Sequence, residues 1–208
     1  VSEKGDIYAL LARPRPGRLF VFAGPSGAGK TTVCRALLDD VPGTAFSISH
    51  TTRPRRNDEV EGRDYFFIAE GDFAELVRRN GFVEHAEVHG YHYGTAREQL
   101  EGHIAAGRDV LLDIDVQGAS QIREKFPAAT LVFLLPPSLA DLRARLTARG
   151  QDEPAEIERR LAQAAAELSA AEGFDYVIIN DRLAAAAAAA RHIILAERQR
   201  IPKRVETR

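Results

Sequence analysis

The sequence predicts an α/β fold, a parallel sheet core flanked by helices, and three observations carry that reading. Short runs at Leu19–Ala23, Val110–Asp115, Thr130–Leu135 and Tyr176–Asn180 are apolar at nearly every position, the pattern of strands covered on both faces rather than one. Helical periodicity fills much of the chain between them, as an alternating α/β order requires. Gly24-Pro25-Ser26-Gly27-Ala28-Gly29-Lys30-Thr31 is a complete G-x-x-x-x-G-K-T phosphate loop, set between the first run and the helical pattern Val33-Cys34-Arg35-Ala36-Leu37-Leu38.

Taken in order, residues 1–17 contain Arg13-Pro14-Arg15-Pro16-Gly17, whose prolines interrupt helix and strand alike, and they are predicted to be a mobile lead-in without assigned function. The core is expected over 18–48 and 95–208. Between them, 49–94 reads as an inserted strand-rich lobe, with short segments at Tyr65–Ile68 and Phe82–Val88 and a short helix beginning near Asp72. Thr95-Ala96-Arg97-Glu98 has the spacing of a capping box, predicting a helix that stops at Gly107. Ser138 with Asp141 opens another after Pro136-Pro137. A long helix is expected from about 155 to 172, ending at Gly173, and a last one over Leu183–Arg200, where an alanine run favours helix. There is no internal repeat.

Composition bounds the function classes. A chain of 208 residues suits one domain or one core with insertions. With 28% charged residues, 45% hydrophobic residues and a net charge of -2, it has a soluble profile that argues against disorder and against wholesale nucleic-acid binding. The single cysteine, Cys34, has no partner for an internal disulfide, and its place in the helix after the phosphate loop suits a buried apolar role. No apolar run is long enough to span a membrane and the N-terminus lacks a signal layout, so a cytoplasmic protein without membrane partners is expected. Monomer and homo-oligomer both stay open. The 24 arginines against 4 lysines mean that a lone arginine carries little weight, whereas Lys30 stands where a phosphate ligand is needed.

The loop's chemistry follows from its backbone. Successive amides face the α- and β-phosphates, the next helix adds the positive end of its dipole, and only glycine permits that path. Lys30 reaches the β- and γ-phosphates and the Thr31 hydroxyl is a magnesium ligand, with Thr32 beside them. That much names a nucleoside triphosphate and no more, since motors, switches and kinases share the loop. In Ser49-His50-Thr51-Thr52-Arg53-Pro54-Arg55-Arg56, Arg53 and Arg56 stand at i and i+3 and can fork onto one phosphate. A solvated basic loop is the competing reading, and Tyr65 and Tyr93 serve equally as phenolic donors or as half-buried packing.

Several motifs occur together and in order: the phosphate loop, Ser49-x-Thr51-Thr52-Arg53 with Arg56, Glu59-Val60-x-Gly62-x-Asp64-Tyr65, Phe82-x-Glu84, Tyr93-Gly94-Thr95, and Asp113-Ile114-Asp115-x-Gln117-Gly118. In this the chain resembles guanylate kinase, from about Gly17 to the C-terminal helix. The resemblance implies a P-loop nucleoside monophosphate kinase that phosphorylates GMP, and dGMP as well, from MgATP. It implies that the acceptor phosphate is held at Arg53, Arg56, Tyr65 and Tyr93, with Glu59 and Asp113 also among the residues that bind GMP. Guanine is then read at Ser49, Glu84, Thr95 and Asp115, with Asp113 acting on the metal through water. The lid, about 145–160, brings Arg145, Arg149 and Arg160, and Asn180 lies near the adenine end. The residue types suit guanine: carboxylates accept from N1–H and N2–H while hydroxyls donate to O6. Adenine would leave those carboxylates unpaired, a mismatch worth roughly 10⁴-fold or more.

The chain departs from the family pattern in placing Pro54 and Arg55 where the proline is usually one position later, and in His85 after Glu84. Two rival readings fit the residues less well. A scaffold that binds phosphopeptides generally lacks an intact phosphate loop and lid arginines, both present here. A P-loop kinase for a ribose bisphosphate has no use for the base-reading set.

Overall fold

The computed structural model describes residues 16–148, 150 and 153–200. In chain order the first elements are β1 (Leu19–Ala23), α1 (Lys30–Asp40), β2 (Thr44–Phe46), β3 (His50–Thr51), β4 (Phe66–Phe67), α2 (Glu70–Arg78), β5 (Phe82–Val88) and β6 (Tyr91–Ala96). They are followed by α3 (Arg97–Ala105), β7 (Asp109–Asp113), α4 (Val116–Lys125), β8 (Thr130–Leu135), α5 (Leu139–Ala148), α6 (Pro154–Glu167), a 3₁₀ turn at Leu168–Gly173, β9 (Tyr176–Ile179) and α7 (Leu183–Gln199).

A parallel sheet in the order β2-β7-β1-β8-β9 forms the centre. Because side chains alternate along a strand, Phe20 and Phe22 face α1 and α7, where they meet Val33, Leu37, Ala186, Ala190 and Ile194. Leu19, Val21 and Ala23 face the opposite layer, with Leu100, Ala119 and Ile122 of α3 and α4. The central strands β7, β1 and β8 are therefore dry on both faces, which is why they read as continuous apolar runs, whereas Val177 and Ile179 leave one face of the edge strand β9 exposed. The alanine run of α7 has a packing use: Ala186, Ala190 and Ile194 recur every fourth residue on the buried face. Cys34 is buried in the same layer, and burial raises its thiol well above the ordinary range. No helix among the described residues is long and apolar enough to cross a membrane.

A second sheet, β4-β3-β6-β5, is built from residues of the inserted segment and docks on α4. Gln121 bonds both ways with the His85 backbone, its Nε2 donating at 2.7 Å, and Lys125 Nζ donates to the Val83 carbonyl at 2.7 Å. His89 and Gly90 form the two-residue turn between β5 and β6, both at positive φ (53° and 78°), the geometry of a type I′ hairpin. Helices α5 and α6 pair through their own apolar cluster, Leu142, Leu146, Ile157, Leu161 and Ala164.

Three sequence expectations differ from the structure. The sheet has a fifth strand, β2, which is three residues long with only Ala45 buried, so no apolar run marked it. Thr95 does not cap α3: it lies in β6, the N-cap is Ala96, and no side chain bonds the helix start. Asp115 lies beyond β7 rather than ending it, and caps α4 by accepting from the Gly118 amide at 2.8 Å. The Ser138 hydroxyl does accept from the Asp141 amide at 3.0 Å, ahead of α5. Residues 1–15 of the expected lead-in lie outside the described residues.

Candidate active site

The strand β1 sits between β7 on one side and β8 on the other, and the chain runs outward from it in both directions. A crevice at the carboxyl end of such a strand is where open parallel sheets take ligands. A cavity of about 620 Å³ lies there, lined by the phosphate loop, the inserted sheet, the end of β7 and one face of α6.

At the donor end, α1 starts at Gly29 in the left-handed region (φ 91°) with no side-chain cap, so the amides of its first turn have no partner within the helix. Gly24 (φ 136°) passes so close to the Leu134 carbonyl that no Cβ fits. Lys30 Nζ donates to the carbonyls of Gly24 at 2.8 Å and Pro25 at 3.2 Å, and stands 3.9 Å from Asp113. The Thr31 hydroxyl donates to the other Asp113 oxygen. Gly24, Ser26, Gly27, Gly29, Lys30, Thr31, Thr32 and Asp113 line the cavity. Ala28 is buried behind them and Asn180 braces it, its Nδ2 donating to the Ala28 carbonyl at 2.8 Å. Asn180 is 6% exposed, so the structure makes it a support of the loop rather than a cavity wall. Arg145 reaches the same corner, Nη2 donating to the Asn180 backbone carbonyl at 2.6 Å. Arg149 lies outside the described residues.

At the acceptor end, Arg53 is 9% exposed and held from three sides. Its Nε donates to Tyr93 Oη at 3.2 Å, Nη1 to the Pro54 carbonyl at 2.8 Å and Nη2 to Glu59 at 2.6 Å. Burial works most strongly against its charge, and the hydrogen bonds and charges of Glu59 and Tyr93 together more than offset that, so the guanidinium is held charged above its ordinary value. Three of its five N–H groups are engaged, leaving two for a ligand. The carbon of its guanidinium stands 5.5 Å from the Tyr65 ring centre, and the Tyr65 and Tyr93 rings meet edge to face. Burial raises Tyr65 well above the usual phenol range, so it is a donor at every physiological pH. Glu59 itself does not line the cavity: its second oxygen accepts from the Arg56 amide at 2.9 Å, so it braces both arginines instead of facing a substrate. Arg56 does line it.

Beside this cluster lie two carboxylates. Glu84 is 3% exposed, and burial lifts its carboxyl to about 7, with Asp115 adding to the rise and the Thr95 hydroxyl opposing it. Burial also raises Asp115. Thr95 is fully buried and its hydroxyl donates to Glu84, so its one hydrogen is committed to the carboxylate and not to a base carbonyl. Ser49, Glu84, Asp113 and Asp115 line the cavity, and of the two hydroxyls read for O6 only Ser49 faces it.

On the cavity face of α6, sequence reasoning named Arg160 and missed the residues around it. Glu156, Arg160, Gln163 and Glu167 recur at i, i+4, i+7 and i+11 on α6 and line the cavity. Arg160 Nε donates to Glu156 at 3.1 Å and Nη1 to Ser26 Oγ at 3.3 Å, so α6 touches the phosphate loop. The hairpin tip reaches the same helix, His89 Nδ1 standing 3.7 Å from Glu156. A polar stripe at helical spacing beside the Ile157–Leu161–Ala164 stripe was the available signal.

Comparison with known proteins agrees with this geometry. The guanylate kinase family model matches residues 16–197. Guanylate kinase of Nitrosomonas europaea is 52% identical over 180 residues, covering 86% of this chain and 90% of the relative. That of Escherichia coli is 48% identical over 189 residues, covering 90% and 91%. The crystal structure of guanylate kinase from Anaplasma phagocytophilum superposes with a TM-score of 0.76 at 34% identity, covering 89% of this chain and 88% of that one. With most of its length matched from both the sequence and the fold, the chain belongs to the guanylate kinase family.

Proposed function

We propose that the two ends of the cavity are the donor and acceptor sites of a single phosphoryl transfer, with the named side chains as its working parts. As a guanylate kinase the protein phosphorylates GMP with ATP as donor. The observation that carries the site reading is that the phosphate loop and the Arg53, Arg56, Tyr65 and Tyr93 cluster line one cavity, with Glu84 and Asp115 beside the acceptor end.

The ATP phosphates lie along the loop amides and Lys30, and the GMP phosphate on the two remaining N–H groups of Arg53, on Arg56 and on the tyrosine hydroxyls. Glu84 and Asp115 accept from guanine N1–H and N2–H, and Ser49 donates to O6. An oxygen of the GMP phosphate attacks the γ-phosphorus in line. The bond from that phosphorus to the β–γ bridging oxygen breaks, and ADP leaves with the electron pair. A phosphate acceptor is already largely ionised near neutral pH, so no residue has to remove a proton. Lys30 and Arg160, with Arg145 and Arg149 of the lid, neutralise charge on the transferring group, and the lid excludes the water that would hydrolyse ATP.

The Thr31 hydroxyl and the Asp113 carboxylate touch one another at the loop, two hard oxygen donors of the kind magnesium takes. Thr31 and Asp113 would hold magnesium there, Asp113 through water, and the ion would supply charge neutralisation to the phosphates of ATP. Residues 49–94 form the acceptor lobe and about 145–160 the lid, dGMP is a second acceptor, and the cytoplasm is the compartment we assign. A coupled assay of ADP release with GMP, dGMP, AMP, UMP and no acceptor tests the reading. Release with GMP and dGMP is expected; brisk turnover of AMP or UMP with none for GMP would overturn it.

A further inference from the structure

Gly118 is the third residue of α4 and is buried. Its φ is outside the left-handed region, so backbone conformation does not call for glycine there. Alanine is the better helix former at such a position. What glycine supplies is room. A Cβ at residue 118 would stand 2.5 Å from Glu84 Oε2, 3.2 Å from Glu84 Cδ and 3.2 Å from Asp115 Oδ1.

The strand and helix that bound this gap are fixed to each other. Gln121 is bonded to the His85 backbone and Lys125 to the Val83 carbonyl, so β5 is tied to α4 on both sides of Glu84. The movable object is the Glu84 carboxylate, whose other oxygen receives the Thr95 hydroxyl. We propose that Gly118 is a positioning residue for the acceptor base: its missing side chain is the slot that lets the Glu84 carboxylate lie against the first turn of α4, beside Asp115, where the two together meet guanine. This rests on the reading that Glu84 accepts from guanine. It goes further in assigning the placement of that carboxylate to a residue that never touches the substrate.

The expected signature separates binding from folding. Gly118→Ala pushes the carboxylate out of line and raises KM for GMP by about tenfold to a hundredfold, the worth of a hydrogen bond to a charged group. KM for ATP and kcat at saturating GMP stay within about threefold, since the atoms nearest a Cβ at Gly118 belong to Glu84 and Asp115 and none to the phosphate loop. Gly102→Ala, in α3 with nothing within 4 Å of its would-be Cβ, is the control and leaves all three unchanged. A double-mutant cycle with Glu84→Ala decides the cause. If Gly118 acts through Glu84, adding Gly118→Ala to Glu84→Ala costs no further GMP affinity. Equal losses in both backgrounds, or no loss from Gly118→Ala where Glu84→Ala shows one, overturn the proposal while leaving the role of Glu84 standing. No loss from Glu84→Ala removes the base reading itself, and this proposal with it. Should Gly118→Ala unfold the protein, the pair Gly118→Ala with Glu84→Asp gives the answer, because the shorter side chain withdraws its carboxylate from the Cβ. Recovery of the thermal midpoint supports the contact and persistent unfolding refutes it.

Discussion

Affinity for GMP should depend on pH through Glu84. Burial lifts this carboxyl to about 7 from the ordinary 4.5, and only the ionised form accepts from both guanine N–H groups. Binding therefore requires the proton to leave, and apparent affinity follows the ionised fraction. With a midpoint at about 7 that fraction is about one half at pH 7 and about 1 in 100 at pH 5, so affinity should fall about fiftyfold over that interval. Asp115 is raised by burial too, and as the pair shares one site its titration steepens the loss. The phosphate of GMP titrates near pH 6 itself, so the reference is Glu84→Gln, in which the ligand still titrates and the carboxyl does not. Isothermal titration calorimetry in buffers of different ionisation enthalpy reads both affinity and proton release, and about half a proton should leave per GMP bound at pH 7. Parallel losses of affinity in wild type and Glu84→Gln between pH 7 and pH 5 would refute the reasoning. Stability without nucleotide carries the opposite sign. The fold favours the neutral carboxyl, a contribution that is whole below the unfolded value of 4.5 and is lost as pH rises through about 7. The thermal midpoint of Glu84→Gln should therefore exceed wild type at pH 8 and match it near pH 5.

Three further outcomes follow from the contacts. Lys30→Ala should lower kcat by roughly 10²- to 10³-fold, as removal of a preorganised charge donor does, while GMP binding measured by calorimetry persists; lost GMP binding with normal turnover would reverse the roles. Glu59→Gln weakens the brace on Arg53 and the Arg56 amide, so KM for GMP should rise about tenfold with KM for ATP steady in the coupled assay. Asn180→Ala leaves the Ala28 carbonyl without its partner, which should cost about 1–3 kcal/mol in urea unfolding and raise KM for ATP rather than GMP.

How much of this was legible in the sequence depended on whether a residue's chemistry was local. The central strands were readable because a strand buried on both faces is apolar throughout, and Phe82–Val88 matched its strand to the residue. Strands β2 and β3 were not, since pieces of three and two residues, one at a sheet edge and one between two partners, take their hydrogen bonds from segments distant in the chain. The phosphate loop announced itself because one continuous segment makes the whole cradle. Thr95 misled for the converse reason: its spacing to Glu98 fits a helix cap, and only the pairing of β5 with β6 puts Glu84 opposite it. Glu59 and Asn180 were read as substrate contacts by resemblance, whereas what each touches is the residue or loop that faces the ligand. A motif identifies which residues matter without saying which of them stand one layer back.

That layering bears on how the site can bind two polyanions and still release products. Three of the cations at the cavity are already matched to protein oxygens: Lys30 to the Gly24 and Pro25 carbonyls, Arg53 to Glu59, Arg160 to Glu156. A phosphate arriving at Lys30 exchanges one set of acceptors for another instead of neutralising an isolated buried charge, so much of the large electrostatic gain expected in a dry pocket is cancelled. Arg53 differs, because its two remaining N–H groups let it keep Glu59 while taking a phosphate. Lys30 has one N–H left beyond its two carbonyls and Arg53 has two, so the acceptor cation has the greater capacity to take a phosphate without giving up its partners. On the proposed reading the GMP phosphate adds to the contacts Arg53 already holds, whereas the ATP phosphate competes with the Gly24 and Pro25 carbonyls for Lys30, at the end of the cavity where the charge to be stabilised appears only as the phosphoryl group transfers.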